Sequence, residues 1–109
     1  MTNSKEKGKR YEREIASQLR GYGYDARRSQ QYAGINNDAD VVGLPFIHIE
    51  AKHRERGHGE IYDWMAQAIS DAKEGEIPTV WHRKNHCETL VTMRMSDFMR
   101  MYQKCEDFE

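Results

Sequence analysis

The chain has 109 residues, with 17 lysines and arginines against 18 aspartates and glutamates, so its net charge at neutral pH is −1. This length allows one modest hydrophobic core, and we therefore expect a single domain over residues 1–109. No apolar run approaches the roughly 20 residues of a membrane span, the polar start is not typical of a signal peptide, and two cysteines make no disulfide framework, so we expect a soluble cytoplasmic protein.

The near-neutral charge hides an uneven distribution. Basic residues are concentrated between residues 5 and 28, and they are Lys5, Lys7, Lys9, Arg10, Arg13, Arg20, Arg27 and Arg28. Acidic residues are concentrated in 60–76 and 106–109. The pattern favours one basic face that could meet a phosphate backbone, with solvated helix faces as the alternative.

The first predicted element is a helix from near Lys5 to Tyr22, because Tyr11, Ile15, Leu19 and Tyr22 recur at helical spacing and glycines follow. Glu12 lies beside this apolar stripe. Its carboxylate could be carried along the helix edge into a cleft, or it could form an ordinary surface ion pair.

The segment 40–52 carries the chemistry. Alternation predicts a strand on which Phe46, His48, Glu50 and Lys52 share one face, opposite Ile47, Ile49 and Ala51. Pro45 favours a turn, so Asp40-Val41-Val42 would pair antiparallel with this strand and bring Asp40 toward Glu50.

Two converging carboxylates suit a hard divalent cation, and Lys52 could then stabilise charge on a phosphate or orient a water. Asp38, two residues earlier, is the alternative to Asp40 as the metal ligand. A surface hairpin with solvated charges is the alternative, and His48 would ordinarily be a surface histidine.

The second half of the chain predicts a helix between Gly59 and Gly75, with Gln67 beside its apolar stripe. A hairpin formed by 79–83 and 89–93 follows, and then a short helix capped by Ser96. The order helix, strands, helix, strands, helix gives an α/β fold with a mixed central sheet.

Short elements that form a recognisable series are spread along nearly the whole chain. They are Lys7-Gly8, Glu12-Arg13, Arg28, Gln30-Gln31-Tyr32, Ala39-Asp40-Val41-Val42-Gly43, Ile47-His48-Ile49-Glu50-Ala51-Lys52, Gln67-Ala68, Pro78, His82-Arg83-Lys84-Asn85 and Leu90-Val91-Thr92-Met93. Together they resemble the phage-type Holliday junction resolvases of the PD-(D/E)XK nuclease superfamily. The resemblance implies a restriction-endonuclease-like core, with a mixed sheet flanked by helices.

The resemblance also implies roles for individual residues. Asp40, Glu50 and the carbonyl of Ala51 would hold Mg²⁺ or Mn²⁺, with Glu12 reaching the metal directly or through water. Gln67 would approach the active site and support Lys52 or the scissile phosphate.

Contacts to DNA are predicted from side-chain donors that could reach phosphate oxygens. Arg83, Lys84 and Asn85 lie at a predicted strand end, Arg27, Arg28 and Gln31 lie in the loop before the first hairpin, and Arg10 lies in the first helix. Tyr32 could stack or wedge at an opened junction.

We therefore expect a metal-dependent DNA endonuclease that cuts four-way junctions during DNA recombination, as a homodimer with one active site per subunit. If a phage encodes it, its place would be the host cytoplasm. Alternatives are a nuclease of the same fold acting on flaps, forks or single strands, and a non-enzymatic DNA-binding module. A zinc site formed by His82, His86, Cys87 and Cys105 fits no finger spacing.

Overall fold

A computed structural model describes residues 4–29, 39–54 and 60–105. Along these residues the elements are α1 (Ser4–Gly21), β1 (Arg27–Arg28), β2 (Val41–Val42), β3 (Ile47–Arg54), α2 (Ile61–Asp71), β4 (Ile77–Lys84), β5 (Leu90–Met93) and α3 (Met95–Lys104). The predicted order of helices and strands is confirmed. Within the described ranges, no helix has the length and apolar character needed to cross a membrane.

The five strands form one mixed sheet in the spatial order β1-β2-β3-β4-β5. Neighbouring strands are antiparallel except for β3 and β4, which run parallel with Glu50 beside Val80 and Lys52 beside His82. Parallel strands need a crossover, and α2 supplies it. The predicted antiparallel pairing of β2 with β3 is confirmed, with Val41 opposite Ile49.

Helices cover both faces of this sheet. On one face, Tyr11, Ile15 and Leu19 of α1 pack into a cluster with Val41 and Ile49. On the other face, α2 packs through a smaller cluster whose members are Trp64, Met65, Ala68 and Val80. Because side chains alternate along a strand, the face of β3 that carries His48 and Glu50 is the one toward α2.

Gly43 sets the turn between β2 and β3. Its φ angle is +108°, and a β-carbon there would lie 2.6 Å from the α-carbon of Ala26 and overlap the carbonyl of Asp25. Only glycine fits both the backbone angle and this close approach. The turn is therefore docked directly against the segment between α1 and β1.

Two details differ from the predicted elements. Tyr22 is 81% exposed because α1 already ends at Gly21, so it does not continue the apolar stripe. Ser96 lies inside α3 and is not its cap; Arg94 precedes the helix without a side-chain capping bond. The buried Asp97 instead accepts hydrogen bonds from Arg94 and Arg100, at 3.1 and 2.6 Å.

The outer surface of β5 and α3 is rich in exposed apolar side chains. Phe98 is 50% exposed and stacks on Tyr102, with ring centroids 6.1 Å apart. The other exposed apolar side chains of these two elements are Met95, Met99 and Met101 on α3, and Leu90 and Val91, which lie on opposite faces of β5.

Candidate active site

Asp40 immediately precedes β2 and is hydrogen-bonded to β3. Its Oδ2 accepts a hydrogen bond from the backbone N–H of Ala51 at 2.8 Å, and its own N–H donates to the carbonyl of Ile49 at 2.9 Å. The N–H and carbonyl of one residue point to the same edge of an extended strand, so the Ala51 carbonyl lies on the Asp40 side of β3. The hairpin thus places a carboxylate and a carbonyl oxygen beside each other.

Glu50 lies within the sheet and is only 2% exposed. Its Oε1 is 2.9 Å from Nε2 of His48, which is 1% exposed. The expectation that His48 is a surface histidine is therefore wrong. Burial opposes a charged imidazolium, but the hydrogen bond and charge of Glu50, together with the charge of Glu76, raise the pKa of His48 above its ordinary value.

Glu12 reaches the same region from α1. Its Oε1 accepts a hydrogen bond from Nε of Arg28 at 2.9 Å, and the Glu12 side chain is 18% exposed. Arg28, predicted as a DNA contact, is thus an ion-pair partner of Glu12 in this structure. The pairing joins α1 to the edge strand β1.

The three carboxylates share one electrostatic environment. Burial and then the negative charge of Glu50 raise the pKa of Asp40 to about 7, against the opposing hydrogen bond from Ala51, and the charge of Glu12 raises it further. Burial also raises the pKa of Glu12, with Arg28 opposing and Glu50 adding to the shift. The negative charge of Glu50 thus raises the pKa of both Asp40 and Glu12, and a cation bound near them would relieve this concentration of negative charge.

Lys52 lies on the same face of β3 as Glu50, two residues further along the strand. Its Nζ donates to Oε1 of Gln67 on α2 at 3.3 Å. The structure therefore brings together the lysine and the glutamine that the sequence suggested as partners, at the edge of the carboxylate group.

The residues suggested for DNA contacts are distributed around this site. Arg10 and Arg27 are exposed. Lys84 is the last residue of β4, in register with Arg54 at the end of β3, and Asn85 follows it. Gln31 and Tyr32 lie outside the described residues, as does Asp38, the competing ligand.

Arg83 is engaged within the fold. Its guanidinium donates to Oε2 of Glu14 at 2.8 Å and lies 5.1 Å from the centre of the Tyr11 ring. This places Arg83 on the α1 face of the sheet, between the helix and β4.

Sequence reasoning missed two features of the site and one of its surroundings. It placed His48 beside Glu50 but not in the interior, and it did not connect Arg28 with Glu12, 16 residues earlier. It also passed over Arg54, which pairs with Glu60 at 3.0 Å at the end of β3. Over residues 4–29, 39–54 and 60–105, no three His, Cys, Asp or Glu side chains form a preassembled metal cluster. This holds for Glu12, Asp40 and Glu50 as well as for His82, His86, Cys87 and Cys105.

Comparisons with known proteins agree with this geometry. A family model described as "Phage putative PDDEXK endonuclease" matches residues 3–108. The Holliday junction resolvase Hjc of Archaeoglobus fulgidus has a similar structure, with a TM-score of 0.62 and 21% identity over 79% of this chain and 76% of that chain. No curated protein sequence matches the chain. The fold is therefore the restriction-endonuclease-like fold of that resolvase, and the chain belongs to the phage PDDEXK endonuclease family of nucleases.

Proposed function

We propose that this nuclease is a divalent-metal-dependent, structure-selective DNA endonuclease that resolves four-way junctions. The observation that carries the proposal is the placement of Asp40 against β3, where Glu50 and Lys52 share one face, with Glu12 held by Arg28 on α1 nearby. Carboxylates and a lysine in this arrangement match the needs of phosphodiester hydrolysis, in which negative charge builds up on a phosphate while water attacks.

The donor set fits Mg²⁺ or Mn²⁺. Mg²⁺ takes oxygen ligands, retains several waters and needs only one or two protein carboxylates. Asp40 and Glu50 would supply these, and the carbonyl of Ala51 lies on the correct edge of β3 to join them. Glu12 would assist from α1, through water or directly, with its Arg28 pair setting its position.

The bound ion would supply Lewis-acid activation of water and neutralise charge on the phosphate. The protein's own residues do the rest. Lys52 donates toward the oxygens on which charge develops, and Gln67 limits the freedom of the lysine by accepting its hydrogen bond. Burial of Glu50 and Asp40 lowers the local dielectric constant, which strengthens these interactions.

Two observations favour a branched substrate and a homodimer. The Archaeoglobus protein of the same fold is a Holliday junction resolvase, and a junction must be nicked on two strands, which suits a two-fold dimer with two sites. The exposed apolar surface of β5 and α3 offers contact area for a second copy. Arg10, Arg27, Lys84 and Asn85 would contact the DNA backbone and sense its shape, with Gln31 and Tyr32 contributing from outside the described residues.

The test is cleavage of four labelled substrates, namely a four-way junction, a fork, a flap and a linear duplex, in Mg²⁺ and in EDTA. We expect paired cuts in the junction that disappear in EDTA, in Glu50→Ala and in Lys52→Met. The Lys52→Met variant should still bind metal, since Lys52 is not a ligand.

Each other outcome points to a different protein. Equal cutting of all four substrates would leave a general nuclease. Cutting of forks or flaps in preference to junctions would assign a different branched substrate. Junction binding without any cutting in Mg²⁺ would favour a non-enzymatic DNA-binding module.

A further inference from the structure

A row of three side chains crosses the sheet from the turn after α2 to the proposed metal site. Glu76 Oε1 lies 3.8 Å from Nδ1 of His48, and Nε2 of His48 lies 2.9 Å from Oε1 of Glu50. Glu76 is itself fixed, because the same oxygen accepts the backbone N–H of Lys73 at 2.9 Å. The imidazole therefore has a hydrogen-bonded carboxylate at Nε2 and a second carboxylate near Nδ1, beyond hydrogen-bond distance.

The backbone at His48 is fixed as well. Thr79 Oγ1 donates to the carbonyl of His48 at 2.7 Å, across the parallel pairing of β3 with β4. The backbone of His48 is thus bonded to the neighbouring strand, and its ring is hydrogen-bonded to Glu50 and lies near Glu76. Because an ionised carboxylate only accepts, the tautomer with hydrogen on Nε2 donates to Oε1 of an ionised Glu50.

Glu50 needs such a partner for a physical reason. An ionised carboxylate has acceptors only, and burying it without a donor is costly. A hydrogen bond to Oε1 also restricts rotation about the last side-chain torsion, which determines where Oε2 points. Hydrogen bonds to a ligating carboxylate commonly contribute about 10–100-fold in metal affinity.

We propose that His48 is a positioning residue that orients the Glu50 carboxylate for the divalent metal ion. This inference rests on the metal-dependent function proposed above. His48 does not touch substrate or metal in this role; it acts through Glu50. Its substitution should therefore change how tightly the ion binds more than how fast the loaded enzyme cuts.

The test measures Mn²⁺ binding to the DNA-free protein by electron paramagnetic resonance, and junction cleavage as a function of Mn²⁺ concentration. His48→Leu replaces the imidazole, and with it the donor, by an apolar side chain of similar size. We expect the Mn²⁺ affinity of this variant to fall about 10–100-fold. His48→Gln retains an N–H near the position of Nε2, so its affinity should stay within about 3-fold of the wild type. Cleavage at saturating Mn²⁺ should recover in both variants.

Thr79→Val is the matched control. It removes the hydrogen bond to the backbone of His48 and leaves the contact between the His48 ring and Glu50 in place. We expect this variant to be less stable but to bind Mn²⁺ as the wild type does. A loss of affinity in Thr79→Val equal to that in His48→Leu would show that general loosening, and not orientation, is responsible, and would overturn the inference.

The outcomes separate this inference from the proposed function. If the wild type binds no Mn²⁺, the proposed metal-dependent function fails first. If the wild type binds Mn²⁺ and His48→Leu binds it equally well, only the positioning role fails. Should His48→Leu not fold, His48→Asn against His48→Gln decides the matter, because the shorter amide cannot reach Glu50 and should bind Mn²⁺ more weakly.

Discussion

Replacing Asp40 by asparagine should stabilise the metal-free protein, and the gain should depend on pH. Burial and the charge of Glu50 raise the Asp40 pKa from 3.8 to about 7 in the folded protein. Folding therefore favours the protonated carboxyl. The stability contributed by this proton is fully present below about pH 4, is lost as the pH rises toward 7, and changes no further at higher pH.

The size of the effect follows from the shift. Between about pH 5 and pH 7, the unfolded wild type has lost the Asp40 proton while the folded protein retains it. Over these two pH units the free energy of unfolding falls by about 1.4 kcal/mol per unit, and between about pH 7 and pH 8.5 it changes little. The Asp40→Asn protein has no such group, and its amide oxygen can still accept the N–H of Ala51. Its stability advantage over the wild type should therefore grow by about 3 kcal/mol across this range.

The assay is urea denaturation of both proteins in EDTA at about pH 5 and about pH 8.5. Adding Mg²⁺ at the higher pH should then stabilise the wild type and leave Asp40→Asn unchanged, because a ligand that binds only the folded state shifts its stability. A difference between the two proteins that stays constant with pH would refute the reasoning, since it would mean that Asp40 is ionised in the fold at both values.

Two further predictions concern the turn and the apolar surface. Gly43→Ala should lower the free energy of unfolding by about 3 kcal/mol or more, because the new methyl group would overlap backbone at a positive φ angle. The control Gly8→Ala in α1, whose methyl group meets no atom within 4 Å, should raise it by about 0.5–1 kcal/mol. Similar urea midpoints for the two variants would contradict this. Phe98→Asp should give a monomer in analytical ultracentrifugation and lose paired junction cleavage. The control Tyr22→Asp, at an aromatic residue that is more exposed and lies outside this surface, should remain dimeric. A dimeric Phe98→Asp would exclude this surface as the interface.

Much of the fold was predictable because its elements have clear periodicity. Apolar residues at helical spacing located α1 and α2, and the alternation from Ile47 to Lys52 assigned Glu50 and Lys52 to one face. The turn at Pro45 gave the pairing of β2 with β3, which is confirmed. Helix ends were less predictable. Tyr22 continues the apolar spacing of α1 but lies beyond its end, and Ser96 is a good capping residue that lies inside α3.

The interior of the site was beyond such patterns. Alternation tells which face of a strand a side chain occupies but not how deeply that face is covered, and His48 and Glu50 look like surface residues until α2 and β4 pack beside them. The Arg28 to Glu12 pair depends on where β1 lies against α1, which no local pattern contains. The roles predicted for the site residues stay predictions until metal binding and cleavage are measured.

The parallel pairing of β3 with β4 has a consequence for when the enzyme becomes active. Glu50 acquires its covered position only after β4 has emerged from the ribosome and paired, about 30 residues later in the chain. Glu12, Asp40 and Glu50 come from three separate segments, so a shorter nascent chain carries the acids without the arrangement. Under the function proposed above, we therefore expect a nascent chain to cleave no DNA until β4 has paired with β3.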